Sequence, residues 1–221
     1  MKKSILALIF GAMAIGAQAG TVSFVYGLPI ALSPADINQT GNLGLFDSNL
    51  GTLTGARITV NGEASYSILG RNTDSSQRTA SITGVTNIFW NSSISALDVF
   101  LLDTIDLSAT SGFQTYGPGQ TLTFGPLSAS GLLSDDLGTI LASLQAAGGG
   151  NFALTCDSLS GAQVQGGGGL IAADVRSQAG CGAGIVYTFD ERVSQVPEPG
   201  SLALVGLALA GAAGASRWRK A

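Results

Sequence analysis

The amino-acid sequence predicts an all-β protein, an antiparallel β-sandwich with one short helix, set between an N-terminal signal peptide and a C-terminal single transmembrane helix. Three observations lead there. Short β-branched runs punctuated by Gly, Asn, Ser and Thr recur through the central part of the chain. Within them apolar and polar residues alternate, as at Val22, Phe24 and Tyr26, which places one face of an extended strand against a core. Each end of the chain carries a long apolar run without acidic residues.

The N-terminal run has the three parts of a secretory signal: Lys2 and Lys3, apolar residues from Ile5 to Gly16, and the small-residue pattern Ala17-Gln18-Ala19 before Gly20. Residues 1–19 are therefore expected to be removed by signal peptidase after engaging the secretion machinery. Residues 20–195 then form one exported domain, since about 180 residues suffice for a single sizeable core. Its strand candidates are Thr21–Tyr26, Arg57–Val60, Ala64–Ile68, Thr79–Phe89, Leu97–Leu107, Thr121–Phe124, Asn151–Cys156, Leu170–Val175 and Gly184–Arg192. Short strands at this spacing read as a sandwich.

Asn61-Gly62 is either a tight hairpin turn or a bulge inside one long strand. Tyr116-Gly117-Pro118-Gly119-Gln120 is a turn. One helix is expected from Ser134 as N-cap, with Asp135 and Asp136 in its first turn, Leu137, Ile140, Leu141 and Leu144 on one face, and Gly148 as its stop. Gly138 weakens that helix. Gly148 to Gly150 and Gly166 to Gly169 are loops, and the absence of a following Lys-Ser or Lys-Thr separates them from phosphate loops.

Charge and composition exclude several functions. Lys2, Lys3, Arg217, Arg219 and Lys220 belong to the two ends, so the stretch from Gly20 to Glu198 keeps five arginines against all 14 acids, a net charge of −9. Arg57, Arg71, Arg78, Arg176 and Arg192 are scattered, and without a basic stripe a nucleic-acid partner is excluded. The chain has no histidine, and between its ends no lysine. Ser-His-Asp and Cys-His nucleophiles, Schiff bases and imidazole metal sites are thereby ruled out, and no cofactor or metal is expected.

Carboxylate chemistry remains, with Asp98, Asp103, Asp106, Asp135 and Asp136 as donors, but solvated loops and a helix start explain these acids as well. No Asp-x-Asp-x-Asp-Gly calcium loop is present. Cys156 and Cys181 lie in the exported part, where thiols oxidise, and a disulfide between them closes a loop of 25 residues, with an entropic stabilisation on the order of 3 kcal/mol. The chain is expected not to be an enzyme.

The last residues, 196–221, have a distinct organisation. Pro197-Glu198-Pro199-Gly200 is followed by a charge-free apolar run at about 201–216 and then by Arg217, Trp218, Arg219 and Lys220. As a helix the run measures roughly 24 Å at about 1.5 Å per residue, a short span for a hydrocarbon core of about 30 Å. The basic end would stay cytoplasmic and hold the domain outside. Gly206, Ala210 and Gly214 give one flat face for helix packing.

These elements in this order resemble the PEP-CTERM sorting signal of Gram-negative bacteria that make extracellular polysaccharide. The resemblance implies a precursor held in the inner membrane with its body in the periplasm. It also implies recognition by an exosortase, a membrane transpeptidase, with Pro197, Glu198, Pro199 and Gly200 as substrate residues and Arg217, Arg219 and Lys220 as the basic stop. The mature form would then reach the cell surface or the extracellular matrix. The stretch Leu45-Phe46-Asp47 through Leu50-Gly51-Thr52-Leu53 to Asn61-Gly62, with Tyr116-Gly117-Pro118-Gly119, is similar to the choice-of-anchor E group of exported bacterial β proteins. That likeness implies an all-β exported domain and transfers no active site.

The expected function is a non-enzymatic structural or interaction role at the surface. The alternative is a carbohydrate-binding module for extracellular polysaccharide. For that module Trp90, beside Asn91, is the candidate glycan contact among the aromatics Tyr26, Tyr66, Trp90, Tyr116 and Tyr187.

Overall fold

The computed structural model describes residues 19–192 and Gly206. The chain forms β1 (Ala19–Tyr26), β2 (Ser33–Pro34), β3 (Asn38–Gly44), β4 (Phe46–Asp47), β5 (Gly51–Asn72), β6 (Arg78–Ser92), α1 (Ser95–Asp98), β7 (Ile105–Thr110), β8 (Gln114–Tyr116), β9 (Thr121–Asp136), β10 (Gln145–Ala146), β11 (Asn151–Gly166) and β12 (Ile171–Glu191). The first sheet has the order β1-β12-β5-β9, with β2 also beside β12. The second has the order β3-β11-β6-β7, with β8 also beside β6. Both are antiparallel, as predicted; β4 and β10 form a short parallel pair.

The strands are longer than the sequence indicates. Arg57–Val60 and Ala64–Ile68 belong to one 22-residue strand, β5, and Leu170–Val175 and Gly184–Arg192 are joined in the 21-residue β12. Asn61-Gly62 is neither turn nor bulge: Gly62 sits in unbroken register between Cys181 on one side and Gly131 on the other. A Cβ at Gly62 would lie 2.5 Å from Ile88 Cδ1 of the opposite sheet, so the glycine answers a close approach from across the core. Within β12, Gly180 and Gly182 likewise admit the Ala31 carbonyl and the Leu28 side chain of the segment that crosses over them.

Alternation along the strands builds the core. Ile58, Val60, Ala64, Tyr66 and Ile68 of β5 point inward, as do Ile82 and Ile88 of β6, Phe152 and Leu154 of β11, and Ile185 and Tyr187 of β12. Burying each large side chain of this kind contributes about 1.5–3 kcal/mol. Two of the buried tyrosines keep their hydroxyls satisfied, Tyr66 donating to the Leu107 carbonyl at 3.1 Å and Tyr187 to the Gly44 carbonyl at 2.9 Å. Burial holds both phenols above the ordinary tyrosine range. One flank is closed by β1, whose Phe24 and Tyr26 rings lie over Gly44 and Gly41 of β3.

The expected helix from Ser134 is not formed. Ser134, Asp135 and Asp136 end β9, and only Leu141–Leu144 make a 3-10 turn. The side chains that would cap a helix are engaged across the sheet: the Ser134 hydroxyl meets Thr59 Oγ1 at 3.0 Å, and Asp136 binds Arg57. Leu137 and Leu144 still enter the core. Among the described residues of the body an α-helical turn forms at Ser95–Asp98, overlapping the start of the strand expected at Leu97–Leu107; only Ile105 onward is extended there. The Tyr116–Gln120 turn is present, with Gln120 N–H donating to the Gly117 carbonyl at 3.1 Å and Gly119 at φ +68°.

Candidate functional site

Cys156 of β11 and Cys181 of β12 form a disulfide, with a Cα–Cα distance of 6.7 Å. Because β11 and β12 belong to different sheets, the bond ties the two layers through the core, where both residues are buried. The fold thus places two residues 25 apart in sequence on facing layers, and their role is to staple rather than to react.

The acids considered for hydrolysis are each held by a local partner or stand apart. Asp98 accepts from the Ser92 backbone N–H at 2.7 Å, and Asp106 accepts from Thr104 Oγ1 at 2.9 Å and from Asn87 Nδ2. Asp103 is exposed in the turn before β7, and Asp135 lies at the end of β9. Asp136 forms a bidentate pair with Arg57, at 2.9 Å from Nε and 3.1 Å from Nη2, on the solvent side of the first sheet. Among the described residues no group of three or more His, Cys, Asp or Glu side chains is arranged to hold a metal ion.

The Arg57–Asp136 pair predicts a pH effect. The hydrogen bond from Arg57, and then its charge, hold the Asp136 carboxyl below the usual carboxylate range. A group depressed in this way contributes stability that is present above its unfolded pKa of about 4 and is lost as pH falls through the lower folded value. In the Arg57→Gln variant the Asp136 carboxyl resonance, followed by NMR, is expected to titrate at higher pH than in wild type. An unchanged titration would show the pair to be without electrostatic consequence.

Trp90 is not placed as the sequence reading requires. It is only 6 % exposed and points into the core, because even-numbered residues of β6 face inward. A buried indole offers no face to a sugar ring. Tyr66, Tyr116 and Tyr187 are also fully buried. The neighbour Phe89, 42 % exposed, takes the outward position, and strand parity from Ile82 to Ile88 is the signal that identifies it. The sorting residues Pro197, Glu198, Pro199 and Gly200, the basic residues Arg217, Arg219 and Lys220, and the expected span at 201–216 apart from Gly206 lie outside the described residues, as do residues 1–18 of the expected signal peptide 1–19.

Fold and sequence together define a class: a disulfide-tied, all-β body followed by a C-terminal sorting tail. Within that class the tail is specific, for residues 195–220 match the PEP-CTERM protein-sorting motif, which marks an exported protein sorted by an exosortase, a membrane enzyme. No curated protein is significantly similar to the chain in sequence. Solved structures aligned with it include the T13 particle of infectious bursal disease virus, at 12% identity over 91% of this chain and 50% of that chain with a TM-score of 0.21. The Gx strain of the same virus aligns at 12% identity over 93% and 52%, with a TM-score of 0.18. The Cry23Aa1–Cry37Aa1 binary complex aligns at 11% identity over 79% and 78%, with a TM-score of 0.20. The chain spans about half the length of the viral chains.

Proposed function

We propose that this protein is made as an inner-membrane precursor with its β-sandwich in the periplasm and its basic C-terminus in the cytoplasm, and that an exosortase removes the tail and passes the body to the cell surface or extracellular matrix. There it serves a structural or interaction role without catalysing a reaction. The observation that carries this is the PEP-CTERM match at residues 195–220, directly after the last strand of the body. Arg217, Arg219 and Lys220 behind the apolar run support the orientation. The absence of histidine, and the pairing of Asp98, Asp106 and Asp136 with neighbouring donors, support a non-enzymatic role.

The test is intact mass and cell fraction of the protein in its native host, with Pro197, Glu198 and Pro199 either kept or replaced by alanine. The wild type is expected to lose both ends and leave the membrane, while the alanine form stays full-tailed in the inner membrane. A wild-type protein that keeps Trp218 and remains in the membrane would make the tail a plain anchor and overturn the proposal.

A further inference from the structure

Strand parity sorts the outer face of the second sheet into rows. Asn38 of β3, Asp157 of β11 and Phe89 of β6 stand side by side in register, and the next row is Leu159, Asn87 and Asp106. Phe89 and Leu159, 42 % and 61 % exposed, are diagonal neighbours and make a small apolar strip within this polar face. The amides beside it are already oriented. Asn38 Nδ2 donates to one oxygen of Asp157 and Asn91 Nδ2 to the other at 3.4 Å, while Asn87 Nδ2 donates to Asp106.

We propose that this face is a binding platform for a neutral polysaccharide chain, centred on Phe89. A sugar ring has an apolar C–H face that packs on an aromatic ring and a rim of hydroxyls that both donate and accept. Each oriented amide retains a second N–H and a carbonyl oxygen, and each carboxylate retains acceptor capacity, so both halves of a hydroxyl's hydrogen bonding can be met. Side chains fixed before the ligand arrives lose little further freedom on binding. Charge selects among glycans. Arg57, Arg71 and Arg176 belong to the first sheet, Arg78 is tied to Asp74 at the start of β6, and Arg192 follows β12; the Phe89 rows carry Asp106 and Asp157 with no cation. An anionic polymer is therefore repelled. Two successive rows across three to four strands present a surface longer than one sugar ring, which suits a segment of a polymer.

The inference relies on the surface destination proposed above only for its setting, because binding would be a property of the body. That body is one compact unit, Gln18–Glu191, with its own core and disulfide, and can be tested alone. Residues 20–192 would be run by affinity electrophoresis through gels containing dextran, a soluble β-glucan, a mannan or, as the anionic comparison, alginate. Retardation is expected in at least one neutral gel and not in alginate. Phe89→Ala should lose at least tenfold in affinity, Phe89→Trp should keep it, and Phe113→Ala, which removes an exposed aromatic outside this face, should change nothing. If Phe89→Ala does not fold, Asn91→Ala carries the test with the same expected direction.

No retardation of the wild type in any neutral gel would overturn the proposal, as would equal binding by Phe89→Ala or stronger binding to alginate. Wild-type self-association in sedimentation, abolished by Phe89→Ala, would make the face a contact between copies instead. None of these results touches the sorting proposal, which is read from tail processing.

Discussion

Replacing Cys156 and Cys181 together by alanine is expected to cost the body about 3 kcal/mol, the loop-closure entropy of a 25-residue loop restored to the unfolded chain. For a domain of this size that corresponds to a fall in melting temperature of roughly 6–12 °C. The bond joins β11 to β12 between the two sheets, where both residues are buried, so loss of packing in the double variant adds to the entropic effect. The measurement is calorimetric melting of the oxidised body, the reduced body and the double variant. The reduced body should melt below the oxidised one, and the double variant, which also loses the two buried sulfur atoms, at or below the reduced body. Equal melting of all three would mean that the sheets hold one another without the staple.

Replacing Asn72 is expected to have a comparable effect, by a different route. Asn72 ends β5 fully buried, and its Nδ2 lies 2.8 Å from the Ser76 carbonyl, 3.2 Å from that of Tyr116 and 3.0 Å from that of Gly117. Its Oδ1 accepts from the Asp74 N–H at 2.9 Å. One side chain thus organises the turn after β5 and the turn before β9. Asn72→Ala leaves several of these groups without a partner, at about 1–3 kcal/mol for each that water does not reach. Asn72→Asp is expected to be worse, since a buried carboxylate would face three carbonyl oxygens with no donor to offer. Thermal melting gives the magnitude, and hydrogen exchange at residues 73–77 and 116–120 gives the location. A melting point within about 2 °C of wild type for Asn72→Ala, where a kcal/mol moves such a domain by about 2–4 °C, would remove this network from the account of stability.

The stretch likened to the choice-of-anchor E group has a structural explanation of its own. Phe46 packs against Tyr187 and Phe189 with ring centroids 5.9 and 5.0 Å away, and Asp47 accepts backbone N–H bonds from Asn49 and Gly148. The Phe-Asp pair therefore seats the short β4 strand and fastens the later glycine loop to it. Such residues are conspicuous in sequence for what they do in the fold, without marking a reaction centre.

What the sequence determined by itself is what depends on local pattern or linear order. Period-two alternation at Val22, Phe24 and Tyr26 and at Ala64 to Ile68 sufficed for an all-β body, because the pleat alone decides which side chains share a face. The sorting tail was equally legible, since its Pro-Glu-Pro group, apolar run and basic end are recognised as an ordered string. The disulfide followed from two cysteines in an exported chain.

What only the tertiary structure decided is what depends on the facing layer. Gly62 reads locally as a turn or as a bulge within one long strand, and pairing with Cys181 and Gly131 places it in regular register, its missing side chain leaving room for Ile88 of the other sheet. Ser134 and Asp136 read as a helix start, yet Thr59 and Arg57 draw them into a ladder. Trp90 and Phe89 differ by one position, and the side of the sheet that was covered set one inside and the other out. In each case the local pattern was compatible with more than one arrangement, and contacts with residues distant in sequence chose between them.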